Sequence, residues 1–205
     1  MRRIGLLVLL VGCGDRESSK PSHPWPSAIG KPYADLKLLD QTGKRVSLAS
    51  FKGRVLLIEP IGMNCPACQA FAGGLKKEIG PFSGVAPQAN LASIEELLPR
   101  YAGGIRLDDD RIVYIQLLLY GMSMQAPTAD DANQWAKHFK MDRSKDRIVL
   151  AGESYLVGDG SYNLIPGFQL VDQNFVLVSD STGHQPKDDL YTKLMPMLEQ
   201  ILSRK

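Results

Sequence analysis

Apolar positions fall in two kinds of run along this chain, and the difference between them predicts its elements. "DLKLLDQTGKRVSLASFKG", residues 35–53, alternates apolar and polar positions on both sides of "QTG", which predicts a β-hairpin. "RVLLIEP", residues 54–60, and "RIVYIQLLLY", residues 111–120, are continuous apolar runs of strand length, the pattern of strands covered on both faces. Pro60 cannot donate to a ladder, so the first of these is expected to stop there. "RIVLA", residues 147–151, predicts a short strand, and "GFQLVDQNFVLVSDSTG", residues 167–183, two strands joined by a tight turn at 172–174. Between the strands the period changes to that of a helix. Phe71, Leu75 and Ile79 recur on one face, with a bend expected at Gly73 and Gly74. Ser93 and Glu96 form a capping box ahead of Leu97, Leu98 and Tyr101. Thr128 caps a helix turning Ala132, Trp135, Ala136 and Phe139 inward. The final helix carries Leu190, Leu194, Met197, Leu198 and Ile201 on one stripe, with Pro196 expected to kink or interrupt it.

The chain has 205 residues, 44% hydrophobic and 22% charged, with a net charge of +2. That is enough for one sizeable core, and the near-neutral balance gives no sign of nucleic-acid binding. The first residues, "MRRIGLLVLLVGC", combine a basic start with an apolar run over residues 4–11 that ends at Gly12 and Cys13. A run of about eight residues is too short to span a bilayer but suits an export signal. "LVGC" resembles the bacterial lipobox, in which the cysteine becomes the lipidated first residue of the mature protein. The resemblance implies a signal peptide over 1–12, lipid on Cys13, a polar, proline-rich tether over 13–27 and a folded domain over 28–205. It also implies a place in the bacterial cell envelope, anchored to a membrane and facing the periplasm, where disulfides persist. Gly14 after the cysteine leaves open which membrane.

"GMNCPACQAF", residues 62–71, places Cys65 and Cys68 after a predicted central strand and at the start of a helix. Unpaired backbone N–H groups there favour a thiolate, so Cys65 is the candidate attacking sulfur. Cys68, one turn on, is placed to resolve a mixed disulfide, and Pro66 suits the first helical position. With Pro66 and Ala67 between the sulfurs, no histidine stabilises the thiolate as in the strongest oxidants, which favours a reducing pair.

"VLLIEPIGMNCPAC", with the hairpin before it and "LIPGFQLVD" some hundred residues later, resembles the membrane-anchored thioredoxin-like (TlpA-like, redoxin) thiol-disulfide oxidoreductases over nearly all of 28–205. The resemblance implies an α/β, thioredoxin-like fold: a central mixed sheet flanked by helices, with an N-terminal β-hairpin and a central insertion. It implies a cis peptide bond between Ile165 and Pro166, facing the cysteines and offering backbone to a substrate chain. It also makes Glu59 the buried acid beneath the second cysteine, expected to take the Cys68 proton. No dissociable cofactor is implied beyond the Cys65-Cys68 disulfide itself. The implied partners are protein thiol or disulfide clients and a protein that resets the pair, serving cell redox homeostasis.

Several positions depart from the family pattern. Met63 and Asn64 replace a tryptophan, Pro60 replaces an aromatic residue, and Phe71 stands where several anchored relatives have an acid. Two other readings follow from related proteins: a copper-binding chaperone and a peroxiredoxin-like peroxidase. The chaperone reading needs a longer cysteine spacing and a histidine near Ile165 and Pro166. His184, the nearest candidate, is expected in a surface turn. The peroxidase signature is not reproduced by Pro60 and Asn64 before Cys65. No second C-x-x-C or paired histidine completes a zinc site. Asp108, Asp109 and Asp110 read as a solvated turn and Trp135 as core.

Overall fold

The computed structural model describes residues 24–204. The expected signal peptide and Cys13 lie outside the described residues. Seven strands form one mixed sheet: β1 (Lys37–Asp40), β2 (Arg45–Ser47), β3 (Val55–Gly62), β4 (Ile112–Tyr120), β5 (Arg147–Ala151), β6 (Gln169–Val171) and β7 (Leu177–Asp180). Their order across the sheet is β2-β1-β5-β4-β3-β6-β7. The three central strands β5, β4 and β3 run parallel, and the others pair antiparallel.

The continuous apolar runs sit in the middle because every residue of β3 and β4 is buried. Alternation marks the border, where β1 and β2 form the predicted hairpin and Asp40 Oδ1 closes its turn on the N–H groups of Thr42 (2.8 Å) and Lys44 (3.1 Å). Two expectations change. Strand β3 continues through Pro60, which pairs with Leu117, to Gly62. Strand β6 pairs with β3 only from Leu56 to Ile58, so one side of β3 needs no ladder donor at Pro60. The extra residues carry the chain directly to Cys65.

The second change is in the helix after the cysteines. Helix α1 (Pro66–Phe71) ends instead of bending: Gly73 has φ +102°, and a Cβ at Gly74 would lie 2.8 Å from the carbonyl oxygen of Gln69. Leu75 is therefore exposed. The connection to α2 (Ile94–Tyr101) is folded back by Gln69, which is wholly buried. Its Nε2 donates to the carbonyls of Met63 (2.9 Å) and Phe82 (3.2 Å), and its Oε1 accepts from the Phe82 N–H (2.8 Å). Phe82 then packs edge-on against Trp135 of α3 (Ala129–His138), with ring centroids 5.3 Å apart. The capping boxes at Ser93 and Thr128 are both formed.

At the end of the chain Pro196 lies in the first turn of α5 (Met195–Ser203), directly after a π-helical turn (Leu190–Leu194). A short helix, α4 (Asp159–Tyr162), precedes β6. The start of the described chain also belongs to the domain. Trp25 packs on the core and Ser27 Oγ accepts from the Ala34 N–H (3.0 Å), so packing reaches into residues 25–27 at the end of the expected tether. Residues 30–33 lie along the outer edge of β7, through Gly30 N–H to Leu177 O (2.7 Å), Leu177 N–H to Lys31 O (3.1 Å) and Tyr33 N–H to Phe175 O (2.8 Å).

Replacing Gln69 by leucine leaves the Phe82 N–H without its partner and frees two carbonyls inside the core. The expected loss is about 3 kcal/mol in urea unfolding. A loss within experimental error would mean that this clamp is not what orders the connection.

Candidate active site

Strand β3 delivers Cys65 to the N-cap of α1, and its backbone there is extended (φ −84°, ψ 117°). Its Sγ accepts the Cys68 N–H at 3.2 Å, a position usually held by a serine or aspartate oxygen. Pro66 follows at the start of the helix, where a missing N–H costs nothing. Cys65 is half-buried and Cys68 is wholly buried.

This difference separates the two thiols. A hydrogen bond from the Cys68 thiol, helped by the backbone N–H groups of Cys68 and Ala67, holds Cys65 down at about 7 against partial burial. Burial pushes Cys68 well above the ordinary thiol range, and the charges of Cys65 and Glu59 push it further. Near neutral pH the accessible sulfur is substantially ionised while the inner one keeps its proton.

Glu59, in β3, is not at the surface but wholly buried. Burial raises its carboxyl to about 8, against the lowering effect of hydrogen bonds from Tyr114 and Gln116. Both donors lie on β4: the Tyr114 hydroxyl at 2.5 Å and Gln116 Nε2 at 2.9 Å, each on Glu59 Oε2. Glu59 Oε1 is buried and has no hydrogen-bond partner among the described residues. The charge of Cys65 adds to the upward push on Glu59, and the charge of Glu59 adds to that on Cys68, so the carboxyl and the two thiols act on one another.

The peptide bond between Ile165 and Pro166 is cis, and both residues line the same cleft as Cys65. Pro166 is fixed from behind, because its carbonyl accepts the Gly183 N–H at 2.8 Å. Gly183 has φ +81°, and a Cβ there would fall 2.1 Å from Asn163 O, so glycine is required. The cleft measures about 500 Å³. Besides these residues, Asn64, Leu91, Met124, Tyr162 and His184 form its walls. His184 is exposed, as a surface turn predicts, yet it borders the cleft, which its distance along the sequence from Pro166 concealed. Leu91 comes from the connection between α1 and α2, and Gln88 N–H ties that connection to Pro66 O at 2.9 Å. Met124 accepts from Asn64 Nδ2 at 3.1 Å. Among the described residues no group of three or more His, Cys, Asp or Glu side chains is arranged to hold a metal ion.

Comparison with protein-family models and with curated proteins gives no match. Solved structures do match. The thioredoxin domain of a thiol-disulfide oxidoreductase from Bacteroides vulgatus is 18% identical, with a TM-score of 0.50 over 84% of this chain and 99% of that one. A thiol:disulfide interchange protein from a Bacteroides species is 18% identical, with a TM-score of 0.51 over 87% of this chain and 93% of that one. A hypothetical protein from Sinorhizobium meliloti 1021 is 19% identical, with a TM-score of 0.53 over 89% and 87%. The fold is thioredoxin-like, a mixed seven-stranded sheet with helices and the hairpin β1-β2 at one border.

The raised carboxyl has a consequence for stability. The folded state binds the Glu59 proton more tightly than the unfolded chain, so stability falls as pH rises from about 4.5 to about 8. Glu59→Gln should remove that decline and stabilise the protein at pH 7 by up to about 3 kcal/mol. Urea unfolding of both proteins at pH 5 and pH 8 checks this, and parallel pH dependences would refute it.

Proposed function

We propose that this protein is a thiol-disulfide oxidoreductase that exchanges disulfides with protein clients through Cys65 and Cys68. The observation that carries the reading is the asymmetry of the pair: an ionisable sulfur at the helix N-cap in an open cleft, and a buried, protonated one a turn below. In the reducing direction the Cys65 thiolate attacks one sulfur of a client disulfide. The client bond breaks, its other sulfur leaves as a thiolate, and a mixed disulfide joins client and Cys65. Glu59 then takes the Cys68 proton, and the Cys68 thiolate attacks Cys65 Sγ. The client's second sulfur departs, and the proton passes to the departing thiolate. Two electrons have moved from the protein dithiol to the client, and a dithiol partner protein must return them. The cis bond before Pro166 leaves backbone beside Cys65 on which an extended client chain can align.

The expected lipobox places this chemistry on a lipid anchor at Cys13, facing the periplasm of a bacterial envelope. Incorporation of labelled fatty acid into the full chain, lost in Cys13→Ser, is the expected result. Labelling that survives the substitution would remove the anchor.

The reading is tested with insulin as a disulfide substrate and dithiothreitol as the reductant. Wild type should accelerate insulin reduction, Cys65→Ser should abolish the acceleration, and Cys68→Ser, reduced beforehand and mixed with insulin after the dithiothreitol is removed, should stop at a stoichiometric mixed disulfide on Cys65. Glu59→Gln should slow release of that adduct near neutral pH. Stoichiometric Cu(I) binding without insulin turnover would replace this function with copper delivery, and turnover that survives Cys65→Ser would overturn it outright.

A further inference from the structure

Behind Glu59 runs a chain of buried hydrogen bonds whose direction is fixed at its far end. Trp135 Nε1 donates to Gln116 Oε1 at 2.9 Å, and an indole N–H can only donate. The Gln116 amide is therefore oriented with its oxygen toward Trp135 and its NH2 toward β3. Nε2 spends its two hydrogens on Glu59 Oε2 (2.9 Å) and on the Tyr114 hydroxyl oxygen (2.9 Å). Tyr114, already accepting from Gln116, has one hydrogen left, and its only acceptor among the described residues is Glu59 Oε2 at 2.5 Å. Two donors thus converge on a single carboxylate oxygen, while Oε1 has no partner among the described residues. All four side chains are buried: Trp135, Gln116 and Glu59 wholly so, with Tyr114 2% exposed.

We propose that Trp135, Gln116 and Tyr114 are positioning residues that close Oε2 to the exchangeable proton, confine that proton to Oε1, and set how readily Glu59 takes it from Cys68. The inference deepens the proposed function and rests on it, since it assigns a mechanism to the acid that serves the resolving step. The charged or ionisable groups acting on the carboxyl are Tyr114 from β4 and the two sulfurs at α1. Arg147 of β5 acts on Tyr114 across the sheet, and α3 contributes the neutral indole. Donors on Oε2 stabilise the ionised carboxyl, so they lower a proton affinity that burial alone would raise further. Removing either end of the chain should therefore make Glu59 hold its proton to higher pH.

The experiment uses the reduced protein and 5,5′-dithiobis(2-nitrobenzoate) in a stopped-flow instrument. Attack by the Cys65 thiolate releases one nitrothiobenzoate and leaves a mixed disulfide. Attack by Cys68 on Cys65 Sγ then releases the second, and the rate of that second phase is followed against pH. Wild type should show a midpoint that Glu59→Gln abolishes. Tyr114→Phe should move the midpoint upward by about one pH unit. Trp135→Phe keeps an aromatic ring but loses the N–H together with part of the indole, and should move it in the same direction by less. The pH profile of the first phase should stay in place in both variants. Trp135→Phe carries the test alone should Tyr114→Phe fold poorly, and a merely structural role would lower stability without moving a midpoint. Midpoints of Tyr114→Phe and Trp135→Phe equal to that of wild type, with Glu59→Gln still lacking one, would overturn the donor chain and leave Glu59 in its role. A Glu59→Gln profile identical to wild type would remove both.

Discussion

A sulfur atom caps a helix in this protein, and the rest of the site depends on that bond. Cys65 Sγ accepts the Cys68 N–H, so this interaction starts α1 and adds to the hydrogen bond from the Cys68 thiol in holding Cys65 below the ordinary thiol range. An oxygen at the same position would cap as well but could not form a disulfide. A sulfur elsewhere on the helix would lose the N–H groups that favour its ionised form. The same geometry buries Cys68, because the side chain one turn later points back toward the sheet.

Burial of Cys68 means that the proposed exchange needs a base inside the core, and the sheet places the Glu59 carboxyl there at a cost in stability. Glu59 and Gln116 are register partners on the parallel strands β3 and β4, so the carboxyl meets a donor without any rearrangement of backbone. Most buried polar atoms in folded proteins are satisfied, and an exception calls for a reason. One exception here is Oε1 of Glu59, and the proton exchange proposed for that carboxyl requires an oxygen that is not permanently occupied. On that proposal, function accounts for a buried carboxyl where stability alone would favour a hydrophobic side chain.

Much of this was legible in the sequence. Uninterrupted apolar runs marked β3 and β4, the change of period marked the capped helices α2 and α3, the spacing of Cys65 and Cys68 marked the thiol pair, and the family resemblance added Glu59 and Pro166 as candidates. What escaped notice depends on contacts between distant segments. Pro60 reads as a strand end because the sequence does not reveal that β6 stops short of it. Phe71, Leu75 and Ile79 keep a helical period, yet the helix ends because Gly73 and Gly74 favour a turn that Gln69 then locks by bonds to Phe82. Trp135 reads as ordinary core, and by burial it is core. Its second use depends on one N–H aimed at Gln116, and hydrophobic periodicity carries no information about where a polar atom points. His184 and Leu91 reach the cleft only because separate loops converge there.

The strap formed by residues 30–33 has a bearing on company as well as on shape. A protein that exchanges disulfides with extended clients, as proposed, meets many segments able to add themselves to a sheet as an extra strand. At the start of β7 the amide and carbonyl of Leu177 are already engaged by Lys31 and Gly30. At the opposite border β2 offers three residues, one of them an arginine held by Glu153. A visiting strand thus meets one flank blocked at its first residue and another only three residues long, which shortens the ladder that crowded copies could zip together.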